Sequence, residues 1–165
     1  MNDILVLTFR YPFPVLAGDS LRIYHICREL SKEYSLTLLS FCESTDVSDP
    51  DRDVFSDVYC VQLPKWRSYA QVGWALPFRP QQPLQIAYYQ SSRFQEKVNA
   101  LVDQHRLCLA HDPRTGHYVR SKSEIKKVLE LTDANAMNYE RVEKKDKTSG
   151  LKQWVYRIEK PRIQK

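Results

Sequence analysis

Three short stretches hold residues whose types could serve one chemistry. The first, from Arg10 to Asp19, supplies Arg10, Gly18 and Asp19, with Arg22 one turn further on. The second, from His111 to His117, supplies His111, Asp112, Arg114 and His117, and the third, Thr132 to Asn135, supplies Asp133. Guanidinium groups at Arg10, Arg22 and Arg114 suit an anion such as a phosphate or carboxylate. A neutral imidazole at His111 can accept a hydrogen bond from a hydroxyl, and carboxylates at Asp19, Asp112 and Asp133 can accept others. Each residue also has a plainer reading. Gly18 can simply make a helix entry, and a lone histidine such as His111 can be a structural loop residue. His111 and His117 do not make a metal site, since no third ligand is evident. The acidic stretch around Pro50, with Asp46, Asp49, Asp51, Asp53 and Asp57, lacks the glycine and the terminal glutamate of a calcium loop, so it reads as surface and no metal is expected.

For these stretches to meet, the elements between them must deliver them to one edge. Ile4-Leu5-Val6-Leu7 is an unbroken apolar run too short for a helix, the pattern of a strand buried on both faces of a parallel sheet. Tyr11-Pro12-Phe13-Pro14 forces the chain out as a loop, because two prolines forbid helix and remove ladder donors. Asp19 or Ser20 can then cap a helix whose Ile23, Ile26, Cys27 and Leu30 form one apolar stripe. Its N-terminus favours an anion. Leu36 to Phe41 and Val58 to Leu63 read as further strands, the latter stopped by Pro64. Ser92 with Gln95 signals a capping box for a helix carrying Phe94, Val98, Leu101 and Val102 and ending near His105. Leu107 to Ala110 is a fourth strand, releasing His111 to His117 as a loop, and Ile125 to Leu131 contains a fifth. Thr132-Asp133 can cap a helix with Met137, Tyr139 and Val142, and Leu151, Trp154, Val155 and Ile158 mark a last one. Strands alternating with helices predict an α/β fold, a Rossmann-like doubly wound, mainly parallel sheet flanked by helices, with ligands at the carboxyl ends of the strands.

With 165 residues the chain is about one domain. Its net charge of +5 is uneven: residues 120–165 hold 13 Lys and Arg against 7 Asp and Glu. A solvated helical surface accounts for this surplus, and attraction to anionic lipid or a phosphate-bearing ligand is the sharper alternative. Acids are interspersed and no recognised motif accompanies the charge, so no nucleic acid is expected as partner. Only Gly18 stands where a dinucleotide site needs G-x-G-x-x-G, and there is no G-x-x-x-x-G-K for a phosphate loop. No apolar run reaches the roughly 20 residues of a spanning helix, and Met1-Asn2-Asp3 does not open a signal peptide. Cys27, Cys42, Cys60 and Cys108 form no C-x-x-C pair and are expected as reduced, buried thiols of a cytoplasmic protein.

The segment from Lys65 to Arg79 crowds Trp66, Tyr69, Trp74, Leu76 and Phe78 among Lys65, Arg67 and Arg79, with Pro77, Pro80 and Pro83 expected to break any helix begun between Ser68 and Leu76. Packing of these aromatics against the domain is the first expectation. The second is a peripheral contact with the inner face of a membrane through Trp66, Trp74 and Phe78.

In the order of several segments the chain resembles the start of bacterial family 4 glycosyltransferases, which have the two-domain GT-B architecture. These segments are Pro12-Phe13-Pro14, Gly18-Asp19-Ser20-Leu21-Arg22, Leu36 to Phe41, Pro83-Leu84-Gln85-Ile86 with Tyr88-Tyr89, and Leu129 to Asp133 with Tyr139. The resemblance implies an N-terminal, acceptor-side half at residues 1–165. The enzyme would move a sugar from a nucleotide-sugar donor to a saccharide or lipid-linked acceptor, in surface polysaccharide or glycolipid synthesis. It implies that Gly18 faces donor phosphates and acceptor, and that His111 lines the cleft; His111 and Asp19 become the catalytic candidates. Arg10, Gly18, Arg22, Asp112, Arg114 and Asp133 become the substrate-binding ones. No cofactor or metal is implied. The family's C-terminal domain binds the donor with two glutamates eight positions apart, a separation no two Glu of this chain have. The donor half is therefore expected to be absent and the chain alone inactive. The alternative is a self-contained Rossmann-like nucleotide-binding or regulatory module.

Overall fold

The computed structural model describes residues 3–15, 18–43, 51–78 and 81–131. Within them run β1 (Asp3–Thr8), α1 (Gly18–Leu30), β2 (Ser35–Cys42), β3 (Asp57–Gln62), α2 (Lys65–Phe78), α3 (Leu84–Tyr88), α4 (Ser92–Val102), β4 (Leu107–His111), α5 (Pro113–Gly116) and β5 (Lys126–Glu130). The five strands form one sheet in the order β3-β2-β1-β4-β5, every pair parallel. The fold is thus the Rossmann-like α/β sheet that the alternation of apolar runs predicts. Asp133, Arg79 and the two helices expected beyond Thr132 lie outside the described residues.

The apolar run of β1 is buried because it sits at the centre of the sheet with helices on both faces. Its side chains alternate, as strand geometry requires. Ile4 and Val6 face α1 and pack with Ile23, Cys27, Leu36, Leu38 and Phe55. Leu5 and Leu7 face α4 and pack with Leu39, Phe41, Phe94, Val98 and Leu101. Phe94 stacks on Phe41 with ring centroids 4.1 Å apart and tilts against Tyr118 at 4.7 Å, which anchors α4 to the sheet.

Local signals differ from expectation in four places. Ser91, not Ser92, caps α4: its side chain accepts from the Phe94 N–H, while Gln95 turns to Asn99 and the Tyr118 carbonyl instead of closing a capping box. The residues after His111 form the helical turn α5 rather than an open loop, because Asp112 caps it and Pro113 supplies a fixed φ at its first position. The aromatic helix α2 starts directly after Pro64 and continues through Pro77 to Phe78, so that proline falls in the last turn and does not break the helix ahead of it. Finally, Cys42 and Cys60 form a disulfide between β2 and β3, with Cα atoms 5.8 Å apart, contrary to the expectation of four reduced thiols. The parallel register that sets Ser40 beside Cys60 and Cys42 beside Gln62 makes the two cysteines diagonal neighbours, although 18 positions separate them in sequence. Cys27 and Cys108 are free and buried, and burial pushes both thiols up to about 12.

Candidate functional site

In the order β3-β2-β1-β4-β5, the chain moves outward one way from β1 through β2 and β3, and the other way through β4 and β5. The carboxyl ends of β1 and β4 therefore flank a crevice where successive connections diverge, the place such sheets bind ligands. Phe9 leaves β1 there and His111 leaves β4. Their rings lie parallel, 10° apart in plane with centroids 5.5 Å apart. The first two stretches singled out from sequence follow β1 and β4, which are adjacent and parallel; the third, with Asp133, lies outside the described residues.

His111 is 3% exposed. Its Nδ1 lies 2.5 Å from Glu130 Oε2, and since a carboxylate only accepts, Nδ1 carries the proton. Glu130 Oε1 is 2.8 Å from Arg22 Nε, so one carboxylate ties the end of β4 to the helix α1. Parallel register sets His111 directly opposite Glu130, and the Asp112 N–H donates to the Glu130 carbonyl at 2.9 Å. Arg22, expected to contact a ligand anion, thus has an anionic partner within the fold. Glu130 itself was not singled out from sequence. The signal that identifies it is a carboxylate ending a strand that pairs, in parallel, with the strand ending at His111.

Asp112 has φ 77° and ψ 150°, a backbone region costly for a side chain other than glycine's. Its carboxylate compensates locally by accepting from the Arg114 N–H at 3.0 Å, capping α5. Thr115 Oγ1 donates to the His111 carbonyl at 2.8 Å and lies 3.4 Å from that of Leu7, fastening the turn to both central strands.

The turn aims Arg114 across the crevice. Its guanidinium lies 4.4 Å from the centre of the Phe9 ring and 5.8 Å from that of Tyr89. Nε and Nη2 donate to Gln85 Oε1 at 3.0 and 2.9 Å, and Asp112 Oδ1 is 3.5 Å from Nε. The Nη1 donors have no partner among the described residues. This is an oriented cation with one edge left for an anion or a hydroxyl. A groove of about 380 Å³ runs beside it, lined by Tyr69, Val72, Leu84, Gln85, Tyr88 and Tyr89. Burial raises the Tyr89 hydroxyl above its ordinary value, keeping it a neutral donor. A larger depression, about 780 Å³, lies between α1 and β5; apolar Ile26, Leu30, Leu109 and Val128 line it together with Arg22, Arg106, Lys126 and Glu130, and there Arg22 and Glu130 are paired with each other.

The remaining candidates are more dispersed. Arg10 is exposed, 5.9 Å from the Phe9 ring centre. Asp19 lies in the first turn of α1 and accepts from the Ser20 N–H at 2.9 Å; no hydrogen bond or ion pair among the described residues joins it to His111. Gly18 does not have a positive φ, and a Cβ there would meet nothing within 4 Å. The turn therefore does not require glycine. His117 turns away into a separate depression beside Gly116 and Leu129, where burial holds its imidazole below its ordinary value. No group of His, Cys, Asp and Glu among the described residues can hold a metal.

The chain matches no protein-family model and no curated protein sequence.

Proposed function

We propose that the chain is the acceptor-side half of a two-domain glycosyltransferase of the family 4 type, acting on a saccharide or lipid-linked acceptor in bacterial surface polysaccharide or glycolipid synthesis. The observation that carries this reading is the crevice at the carboxyl ends of β1 and β4, where Arg114 is held by Gln85, stacked on Phe9 and left with its Nη1 edge beside an aromatic groove. Flat aromatic faces next to an oriented guanidinium suit a sugar ring bearing hydroxyls or a phosphate.

In such a transfer the acceptor oxygen bonds the anomeric carbon, the bond from that carbon to the nucleoside diphosphate breaks, and the hydroxyl proton is released. The enzyme must position the hydroxyl and stabilise the charge on the departing diphosphate. Arg114 and the exposed Arg10 supply positive charge from this half. His111, clamped by Glu130 and stacked on Phe9, shapes the crevice floor and fixes the end of β4; Asp19 sits where α1 begins. A second domain would bring the nucleotide sugar. No metal or cofactor is part of this reading, and the chain alone is expected to be inactive.

Two measurements test it. Incubated with a panel of nucleotide sugars, the isolated chain should release no nucleotide above a heat-killed control. Titrated with hexose phosphates and separately with uridine diphosphate, its amide NMR spectrum should move at Phe9, Tyr89 and Arg114 with the sugar phosphates. Turnover by the chain alone overturns the missing-half assignment. Tight diphosphate binding with no response to sugar phosphates overturns the acceptor assignment and leaves the self-contained nucleotide module.

A further inference from the structure

We propose that α2 docks the protein onto an anionic lipid bilayer. In water an amphipathic helix turns its polar side outward. α2 does the reverse. Its buried positions are the small residues Ser68 and Ala75, whereas Trp66, Tyr69, Trp74 and Phe78 are 73%, 66%, 64% and 64% exposed. The expectation that these aromatics pack into the domain is corrected by those values. At about 100° per residue Trp66, Trp74 and Phe78 fall within about 120° of one another, with Gly73 and Pro77 on the same side, along a helix roughly 21 Å long, and Tyr69 lies at the edge of that side. Trp74 and Phe78 stack on each other at 4.3 Å, out in solvent.

Charge decides which occupant the face suits. α2 carries Lys65 and Arg67 and no acidic residue. Lys65 lies 3.3 Å from Glu43, but both side chains are mostly exposed, so the pair is screened and open to exchange. A second copy of this chain meeting the face about a twofold axis would set basic helix against basic helix. The headgroup layer of a bilayer supplies the opposite charge, and it is where indole rings and basic side chains both settle. No described helix is long and apolar enough to cross a membrane, so the contact is peripheral. Tyr69 also meets Tyr88 edge to face at 5.7 Å, and both line the groove beside Arg114. Docking by α2 would therefore hold that groove at the lipid surface. The docking itself does not rest on the transferase reading.

Co-sedimentation with vesicles of phosphatidylcholine alone, and of phosphatidylcholine mixed with phosphatidylglycerol, tests the proposal. The chain should bind the mixed vesicles, bind the neutral ones less, and lose part of the binding when salt is raised to about 0.5 M, where charge is screened within a few ångströms. Tryptophan emission should shift to the blue on binding. Replacing Trp66, Trp74 and Phe78 together by alanine should weaken partitioning about tenfold or more, with the melting temperature kept because these side chains are exposed. Arg67→Glu, which leaves the aromatics alone, should remove most of the preference for the anionic vesicles. Binding that survives the triple replacement overturns the proposal, as does absence of binding to either vesicle. A dimer seen by light scattering without vesicles, and abolished by the triple replacement, would assign the face to a second copy instead.

Discussion

Glu130 joins two residues that sequence places 89 positions apart: Oε2 lies 2.5 Å from His111 Nδ1 and Oε1 lies 2.8 Å from Arg22 Nε. The clamp spans β5, β4 and α1, so it fixes that helix to the strand that ends at His111. Its two arms are unequal. Arg22 is half exposed, and solvent screens that arm; His111 is buried, and losing its acceptor would leave an imidazole N–H without a partner.

Glu130→Ala should therefore destabilise the domain by roughly 1 to 3 kcal/mol, the usual cost of orphaning a buried polar group. Arg22→Ala should cost less than about 1 kcal/mol. Glu130→Gln retains an acceptor for His111 and should fall between them. Urea unfolding of the three variants checks the order. Equal losses for Glu130→Ala and Arg22→Ala would show that the His111 arm contributes nothing.

Asp112 sets two effects against each other. Its φ of 77° disfavours any side chain, while its carboxylate caps α5. Asp112→Ala loses the cap and keeps the strained backbone, whereas Asp112→Gly loses the cap and relieves the strain. Glycine should be the milder replacement by about 1 kcal/mol or more. Thermal denaturation of the pair measures this difference directly. An alanine variant as stable as the glycine one would mean that position 112 relaxes to an ordinary conformation once the cap is gone.

The sheet was legible in the sequence because burial on both faces leaves a plain mark: the runs at Ile4–Leu7 and Leu36–Leu39 are what a central parallel strand must look like. The crevice was partly legible for the same reason, since the loops following such strands have only one edge to go to. What was not legible depends on register and on facing. Glu130 and the Cys42–Cys60 bridge follow from which residues sit opposite one another across parallel strands, and no local pattern records that. Trp66 and Trp74 carry the same apolar signature whether they face a core or a bilayer; only the small residues on the opposite side of α2, Ser68 and Ala75, distinguish the two cases, and small residues make a weak signal. Gly18 is the converse. Its place after a strand and at a helix start suggests a constrained turn, yet its backbone is one that any residue can adopt.

His117 gives the domain a pH dependence whose sign follows from its surroundings. Burial lowers its pKa, outweighing the Pro113 and Arg114 backbone carbonyls that raise it; Arg120 and Lys127 share the depression and are no partners for an imidazolium. The unfolded chain, with a histidine near the ordinary value of about 6.5, binds the proton first as pH falls. Stability from this group is fully present above that pH and declines below it, until the folded form also protonates at its lower pKa. The melting temperature should thus drop between about pH 7 and pH 5. In His117→Phe, which fills the same space beside Tyr118 without a titrating group, this part of the decline should vanish, leaving a shallower curve. A variant whose melting temperature falls as steeply as the parent's over that range would place the acid sensitivity elsewhere and show that the folded state already accommodates a charged ring at position 117.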